Sequence, residues 1–392
     1  MRRVRLARWR WLGAGFVIGL AVTLGVFALV RWSATDEASE VPTLVVAENA
    51  CGQGWTDREP GAPTLILRNT GGVAADAQLI DVATGKVLID VEGIGSGATV
   101  PVQVILGGGR YALRCVFDEL GAVTGPTMRI VGPAGPAGVA PVTRADLIAA
   151  VRAYQASVVA GMAPLVADIA SLQTAVRSGD RAAARRSWLP AMLDYQRLGA
   201  AYGAFGDLDV AIDGTPDGLP GGVNDSRFTG FRRLEYGLWH DQPMTVLVPV
   251  ADALSASVTR LRDQAPEMPV DGLDLTRRVH EILEDTERFE LTGGSDQGSG
   301  SSLAIARAQV RATQMALEPL VPLLVTRYPA LPRVDPALRR LAADLDATDH
   351  DGAWTPIQAL DHARRQQINA DTGRAVELLA PIAAICEPRR TS

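Results

Sequence analysis

The chain has 392 residues, of which 47% are hydrophobic, and its formal net charge at pH 7 is −6. This length and hydrophobic content allow two or three folded domains and exclude an intrinsically disordered protein. The net negative charge argues against nucleic-acid binding, because proteins that bind nucleic acid concentrate positive charge on one surface.

The N-terminal segment, residues 1–31, has the pattern of an arginine-rich cytoplasmic stub and a transmembrane anchor. Five arginines precede an uncharged run from Trp11 to Val30, which is about the length that crosses a bilayer as a helix. This charge distribution predicts that everything after Arg31 lies outside the cytoplasm. We therefore expect a single-pass protein of the cell membrane with extracytoplasmic domains. Export followed by signal cleavage is the alternative, with Ser33–Thr35 as a weak cleavage site.

Residues 43–132 have the pattern of an all-β sandwich. Short apolar or alternating runs are separated by turns rich in glycine and asparagine, and their spacing is typical of such a fold. The predicted strands are Val45–Ala47, Thr64–Leu67, Ala77–Ile80, Lys86–Val91, Thr99–Val104, Arg110–Cys115 and Thr127–Ile130. Cys51 and Cys115 both lie in this segment, and in a small exported domain such a pair predicts a disulfide.

Residues 133–142 are uncharged and rich in proline and glycine, which predicts a linker. Residues 143–388 then have helical periodicity: Thr143–Asp146 resembles a capping box, and apolar residues from Leu147 to Val176 recur at intervals of three and four. A second helix is predicted through Tyr202, and later helices at about 244–264, 275–292, 301–326, 336–348 and 354–384. With no β pattern between them, we predict an all-α antiparallel bundle.

The aromatic segment from Phe228 to Trp239 is the main candidate for a functional centre. On a helix, Arg232 and Glu235 are three residues apart and share one face, beside an apolar stripe that includes Leu234. A structural ion pair is one interpretation of this pattern, and a ligand or catalytic site is the other.

The same segment carries a resemblance to a known family. Gly230–Glu235, followed by Trp239, resembles the signature helix of the imelysin-like EfeO family, which usually reads Gly-Phe-His-Arg-Ile-Glu with an aromatic residue nearby. The likeness extends to Tyr195–Arg197, Phe205–Asp209, Ile212–Asp213, His280–Glu284, Leu291–Gly293 and Ser299–Ala304. The segment 43–132 is similar to the cupredoxin-like domain that precedes the helical domain in long members. Arg232 stands where the family places its metal-ligating histidine.

A type 1 copper centre is not expected in the β domain. Such a centre needs two histidines together with a cysteine, and none of the four histidines precedes residue 240. The resemblance to a cupredoxin therefore predicts the fold of this domain without its copper chemistry.

The predicted metal ligands are Glu235, His280 and Glu284. His280 and Glu284 are four residues apart and face the same way, and an imidazole and a carboxylate at this spacing can share a divalent cation within a bundle. An interior histidine beside solvated carboxylates is the alternative interpretation. The possible supporting acids are Asp207, Asp209 and Asp213.

Arg232 limits what the resemblance implies for the signature site. A guanidinium stays protonated and repels cations, so Arg232 is expected to pair with Glu235 and to withdraw that carboxylate from a metal. Two alternatives remain: the metal is held by Glu235, His280 and Glu284 with acids from residues 207–213, or Arg232 binds an anionic chelate of the metal.

The resemblance implies an iron-binding component, outside the cytoplasm, of an EfeUOB-like iron-uptake system. Such a component captures ferrous or ferric iron and delivers it to a membrane permease, with a haem peroxidase as a further partner. A scaffold or regulatory paralogue that binds no metal is the alternative. A metallopeptidase is a third interpretation and is disfavoured, because zinc peptidases of the usual kind need His-Glu-x-x-His and position 284 is glutamate. We therefore expect no enzymatic activity.

Overall fold

A computed structural model describes residues 41–55, 58–118 and 120–390. The chain divides into two compact units, one ending at Gly138 and the other beginning at Val139. This division falls inside the segment predicted as a linker. The run predicted to cross the membrane lies outside the described residues.

The first unit is a β unit with two sheets. Its strands are β1 (Thr43–Val46), β2 (Thr64–Asn69), β3 (Ala75–Asp81), β4 (Val87–Ile94), β5 (Thr99–Gln103), β6 (Gly109–Phe117), β7 (Gly121–Thr124) and β8 (Met128–Ile130). One sheet has the order β1-β2-β5, and the other has the order β4-β3-β6-β7 with β8 also paired to β6. Strand β1 runs parallel to β2, whereas the other pairs are antiparallel.

The two sheets bury their apolar side chains in one core. Leu44 and Leu67 from the first sheet and Leu79 and Phe117 from the second belong to the same buried cluster, which is the arrangement of two sheets packed face to face. The predicted disulfide is confirmed: Cys51 is joined to Cys115, a fully buried residue of β6. Seven of the strands overlap predicted ones, and β7 is an additional short strand.

The second unit is a helical bundle, as predicted. Its helices are α1 (Arg144–Arg177), α2 (Arg181–Gln196), α3 (Tyr202–Phe205), α4 (Asp207–Asp213), α5 (Gly230–Trp239), α6 (Met244–Gln264), α7 (Gly272–Asp285), α8 (Ser302–Leu317), α9 (Val321–Leu324), α10 (Val334–Asp346), α11 (His362–Leu379) and α12 (Pro381–Ile385). Helix α1 begins with the expected capping box between Thr143 and Asp146. Its apolar stripe, from Leu147 to Val176, lies in the core of the bundle.

Several predicted helices end earlier or begin later than their periodicity indicates. The helix expected at 275–292 is α-helical only to Asp285, and Thr286–Glu290 forms a π-helical turn. The helix expected at 301–326 is interrupted after Leu317 by a 3₁₀ turn that contains Pro319, because proline lacks the backbone donor that the helix interior needs. The helix expected at 354–384 begins at His362, where the Asp361 side chain caps it.

The expectation that no strand interrupts the helices is wrong. Asp349–His350 and Ala353–Trp354 pair as a short antiparallel hairpin between α10 and α11. Its turn residues Asp351 and Gly352 both have positive φ, of 55° and 87°, which is the conformation that tight hairpin turns require. Two residues per strand are too few to produce a period-two pattern in the sequence.

Two helices in the described part of the chain, α1 and α6, are long and apolar enough to span a membrane by length and composition. Both contribute residues to the core of the helical unit, for example Leu165 and Leu254. About a third of the most apolar window of each helix, 33% in both cases, is buried inside the structure.

Candidate functional site

Helix α5 begins at a glycine that fixes its position against α4. Gly230 has a φ of +74°, and a Cβ atom at this residue would lie 2.1 Å from the carbonyl oxygen of Ile212. The hydroxyl of the preceding Thr229 donates a hydrogen bond to the carbonyl of Ala211, at 3.1 Å. Because α4 ends at Asp213, this close approach brings the Asp213 carboxylate to the first turn of α5.

The π-helical turn after α7 determines where Glu290 lies. The amide of Leu291 donates to the carbonyl of Thr286, five residues back, at 2.9 Å, which is the π pattern. The turn accommodates one residue more than an α-helical turn. Both Thr286 and Glu290 are buried, so the turn keeps Glu290 directed into the bundle beside α5.

Three carboxylates from three different segments surround the guanidinium of Arg232. Its Nε lies 3.1 Å from Asp213 Oδ1, one terminal nitrogen lies 3.1 Å from Glu290 Oε1, and the other lies 3.5 Å from Glu235 Oε2. Arg232, Glu235 and Glu290 are each at most 2% exposed. We call Arg232, Asp213, Glu235 and Glu290 the arginine cluster.

Glu235 also holds the loop between the π turn and α8. Its Oε1 accepts hydrogen bonds from the amides of Gln297 and Ser299, at 3.0 and 3.2 Å, and from the Ser299 hydroxyl at 2.6 Å. Charge-assisted bonds of this kind are stronger than neutral ones. The Glu235 carboxylate therefore serves both as a partner of Arg232 and as the anchor of this loop.

Asp213 is linked to α2 and α8 by a chain of side-chain amides. Gln196 of α2 donates to Asp213 Oδ2 at 2.6 Å, and Gln309 of α8 donates to Gln196 Oε1 at 2.9 Å. The hydroxyl of Thr286 lies 2.8 Å from Gln309 Oε1. These bonds orient both Asp213 and the amides around it.

The arginine cluster contains one positive group and three acidic groups. Burial raises the pKa of Glu235 and of Glu290, and Arg232 opposes this rise. Burial likewise raises the pKa of Asp213 to about 6, again against the effect of Arg232. Burial disfavours the charged form of Arg232, but Asp213, Glu290 and Glu235 outweigh it and leave the pKa of Arg232 raised. The guanidinium therefore stays charged, whereas the raised pKa means that Asp213 takes up a proton at a higher pH than an ordinary aspartate does.

His280 and Glu284 share a face of α7, but this face is not the one beside the arginine cluster. His280 Nε2 lies 4.0 Å from Glu284 Oε1, and about half of the Glu284 side chain is exposed. The cavity next to the cluster is lined from the α7 side by Ile282 and Asp285 instead. Among the residues that the structure describes, Glu235, His280 and Glu284 do not form a group able to hold a metal ion, nor do any other three acidic, histidine or cysteine residues.

Of the possible supporting acids, Asp213 alone belongs to the arginine cluster. Asp209 accepts a 2.5 Å hydrogen bond from the hydroxyl of Tyr195, and burial raises its pKa against the effects of Tyr195 and Arg278. Asp207 is exposed in the first turn of α4. Asp209 also lines a cleft of about 460 Å³ between α4 and α7, whose acidic residues include Asp271, Asp274, Glu281 and Asp285.

A comparison with protein families identifies the helical unit. The family model described as Imelysin (Peptidase M75) matches residues 150–382, which is more than half of the chain. The chain belongs to the imelysin family. The matched range includes all four members of the arginine cluster, together with His280 and Glu284.

Relatives of this imelysin-family chain include the iron uptake system component EfeO of Escherichia coli strain K12, that of Escherichia coli O157:H7 and that of Shigella flexneri. Each is 25% identical to this chain over 316 residues, which cover 79% of this chain and 82% of the relative. In sequence the chain is an EfeO-like member of the family.

Glu290 is the member of the cluster that sequence reasoning missed. It is 58 residues from Arg232, and it lies inside the helix predicted at 275–292, whose α-helical periodicity does not include the extra residue of the π turn. Its one signal was its position directly before Leu291–Gly293, a segment that resembles the imelysin-like EfeO family.

Proposed function

We propose that this protein is an extracytoplasmic component of an iron-uptake system that captures iron and delivers it to a membrane permease. The observation that carries the proposal is the likeness to the iron uptake component EfeO over 79% of the chain. We further propose that residues 1–31 anchor the protein in the membrane, and that a haem peroxidase is a second partner. On this proposal the protein carries iron without chemically converting a substrate.

Iron contact in this proposal involves the exposed side of α7. His280 and Glu284 present a nitrogen and an oxygen 4.0 Å apart, and one imidazole with one carboxylate leaves the other coordination positions to water or to the partner protein. Glu235, the third proposed ligand, is engaged with Arg232 and with the loop at Ser299. Its contribution would therefore require Arg232 to release it.

A specific observation favours a second candidate, a scaffold or regulatory member of the family that binds no iron. The Arg232 guanidinium contacts all three carboxylates of the arginine cluster, of which Glu235 and Glu290 are buried. An internal cation at the position of the family's histidine neutralises part of the negative charge that would otherwise attract a metal. An anionic chelate at Arg232 is disfavoured by the same three carboxylates, which would repel it.

Calorimetric titration of the full-length protein in detergent tests these candidates, with ferrous iron under anaerobic conditions and ferric iron as a citrate complex. The variants are Arg232→His and the pair His280→Ala with Glu284→Gln. Saturable binding by the parent that is lost in the double variant supports iron capture on α7. If the parent binds neither ion and the Arg232→His variant does, the protein does not capture iron and the scaffold is favoured. Arg339→His, at an exposed position of α10, is the matched control for adding a histidine.

For the β unit, we propose a cupredoxin-like sandwich without a type 1 copper centre. The cysteine of β6, Cys115, is joined to Cys51 and has no thiolate to offer. Binding of Cu²⁺ with an intense blue absorption would contradict this proposal. A metallopeptidase would be supported instead if purified protein cleaved casein and lost that activity with a chelator.

A further inference from the structure

A second cavity adjoins the arginine cluster within the helical unit. It has a volume of about 200 Å³, and its walls include Asp213, Arg232 and Glu290 of the cluster together with Ser295 and Phe289. That volume is larger than a single ion needs and smaller than a pocket for a drug-sized ligand.

Two buried oxygens of this cavity lack a hydrogen-bond partner among the described residues. They are Glu290 Oε2 and Ser295 Oγ, and their residues are 2% and 4% exposed. Ser295 is close enough to Glu290 to favour its ionised form, yet no well-formed hydrogen bond joins the two side chains. Both oxygens can accept a hydrogen bond, and because buried polar groups are almost always paired, a donor that reaches both of them from the cavity would complete their bonding.

The charges around the cavity favour a cationic donor. The arginine cluster holds three acidic groups against one guanidinium, and Asp285, which also lines the cavity, is paired with Arg278 at 3.0 Å. The cleft of about 460 Å³ shares Arg278 and Asp285 with this cavity and is itself rich in carboxylates. An acidic cleft of this kind raises the local concentration of cations.

The residues that line this cavity suit an organic cation better than a metal ion. Within the described chain, three acidic, histidine or cysteine side chains converge nowhere to hold a metal ion. An ammonium group needs only hydrogen-bond acceptors, which Glu290 Oε2 and Ser295 Oγ supply. Ile282 and Phe289 provide apolar surface for a short alkyl chain.

We propose that this cavity binds a small organic cation, a primary amine with a short alkyl chain, whose ammonium group donates to Glu290 and Ser295. The site is separate from the proposed iron contact at His280 and Glu284, so the proposal does not depend on iron binding. Its apolar wall at Phe289 would select against larger, strongly hydrated cations.

Titration of the full-length protein in detergent with propylammonium chloride, followed by calorimetry and by thermal unfolding, tests this site. Saturable binding is expected, with little response to 1-propanol, which lacks the charge, or to tetramethylammonium, which lacks N–H donors. Ser295→Ala should weaken binding about ten-fold, because a hydrogen bond to a charged group is lost. Glu290→Gln should abolish it, whereas Glu377→Gln, at an exposed position of α11, should leave it unchanged.

The Ser295→Ala variant keeps all three contacts of Arg232. It therefore tests the site even if the Glu290→Gln variant does not fold. The proposal is overturned if propylammonium shows no saturable binding up to about 100 mM. Any remaining affinity would then be below that of a weak millimolar ligand. The proposal is also overturned if tetramethylammonium binds as well as propylammonium does. It is overturned as well if Mn²⁺ competes with propylammonium and the Ser295→Ala variant binds propylammonium like the parent. Loss of binding in Ser295→Ala with normal thermal unfolding supports it.

Discussion

The guanidinium of Arg232 and the carboxylate of Glu290 lie 3.1 Å apart, although the two residues are 58 positions apart in the chain. Their contact joins α5 to the π turn after α7, and both side chains are almost fully buried. Together with Asp213 and Glu235, this pair places compensating charges inside the bundle, so that removing one partner would leave another without compensation.

Replacing Arg232 by methionine removes the one guanidinium of the cluster. Breaking a buried ion pair from one side leaves uncompensated charge, so we expect the free energy of unfolding at pH 7.5 to fall by about 3–5 kcal/mol. Urea unfolding followed by circular dichroism measures this loss, and part of it should be regained at pH 5 as the carboxylates take up protons. Arg339→Met, at an exposed pair with Asp335, is the control and should cost less than about 1 kcal/mol. A similar small cost at Arg232 would contradict the prediction.

The pH dependence of stability should carry a contribution from Asp213. Its pKa is raised from 3.8 to about 6 in the folded protein, so the folded state binds this proton more tightly than the unfolded state. The resulting stabilisation is complete below about pH 4 and is lost as the pH rises through 6. The free energy of unfolding of the parent minus that of Asp213→Asn should therefore fall by up to about 3 kcal/mol between pH 4 and pH 7. A difference that stays flat over this range would be evidence against a raised pKa.

Gly230→Ala should destabilise the junction of α4 and α5. The new methyl group would meet the Ile212 carbonyl at 2.1 Å and require a φ of +74°, which costs about 1–3 kcal/mol for the backbone conformation alone. Thermal unfolding and hydrogen exchange of the α5 amides measure the effect. Gly203→Ala is the matched control, since a Cβ there meets nothing within 4 Å and φ is not positive. Equal stability of the two variants would show that α5 is not fixed at this point.

Ser299→Ala should loosen the loop that Glu235 anchors. The Ser299 hydroxyl donates a 2.6 Å bond to the Glu235 carboxylate, and losing a hydrogen bond to a buried charge costs about 1–3 kcal/mol. Hydrogen exchange at the amides of Gln297 and Ser299 should accelerate more than exchange in α1. Ser171 is an exposed serine of α1 whose hydroxyl bonds to its own helix. The control variant Ser171→Ala should change hydrogen exchange neither in the loop nor in α1. Unchanged exchange in the loop would show that the amide bonds suffice.

Reduction of the Cys51–Cys115 disulfide should destabilise the β unit. The bond joins residues 64 positions apart, and loss of a native disulfide from a small domain costs about 2–5 kcal/mol. Calorimetry of the double variant Cys51→Ser with Cys115→Ser should lower the unfolding temperature of the β unit and leave that of the helical unit unchanged. Cys386→Ala, at a buried free cysteine of the helical unit, should affect the other transition. This prediction assumes that the two units unfold independently. It is contradicted if the disulfide variant and the Cys386→Ala variant each show one transition and that transition shifts in both.

The sequence predicted features that depend on neighbouring residues. The long helices were identified because apolar residues such as Leu147 and Leu165 repeat at helical spacing, and Arg232 faces Glu235 because three residues of α-helix separate them. The disulfide was predicted because two cysteines in one small exported domain usually pair.

Contacts between distant residues were missed where, unlike in the cysteine pair, the residue types do not themselves indicate a partner. Glu290 joins Arg232 through the meeting of two helices, and nothing local to either residue indicates that meeting. His280 and Glu284 do share a face, but which neighbour that face meets depends on the packing of α7. Strand β7 and the hairpin at Asp351 are too short for their periodicity to be recognised.

The π-helical turn at Thr286–Glu290 makes the arginine cluster sensitive to chain length. Deleting one residue in this turn would restore α-helical register and rotate Glu290 by about 100° relative to α7, one residue's share of a 3.6-residue turn. If the deleted residue is uncharged, Arg232 would lose Glu290 as a partner although the gene still encodes every charged side chain. A single in-frame codon deletion could therefore change the electrostatics of the bundle interior as strongly as a substitution of Glu290 itself, and a comparison of residue identities alone would not detect it.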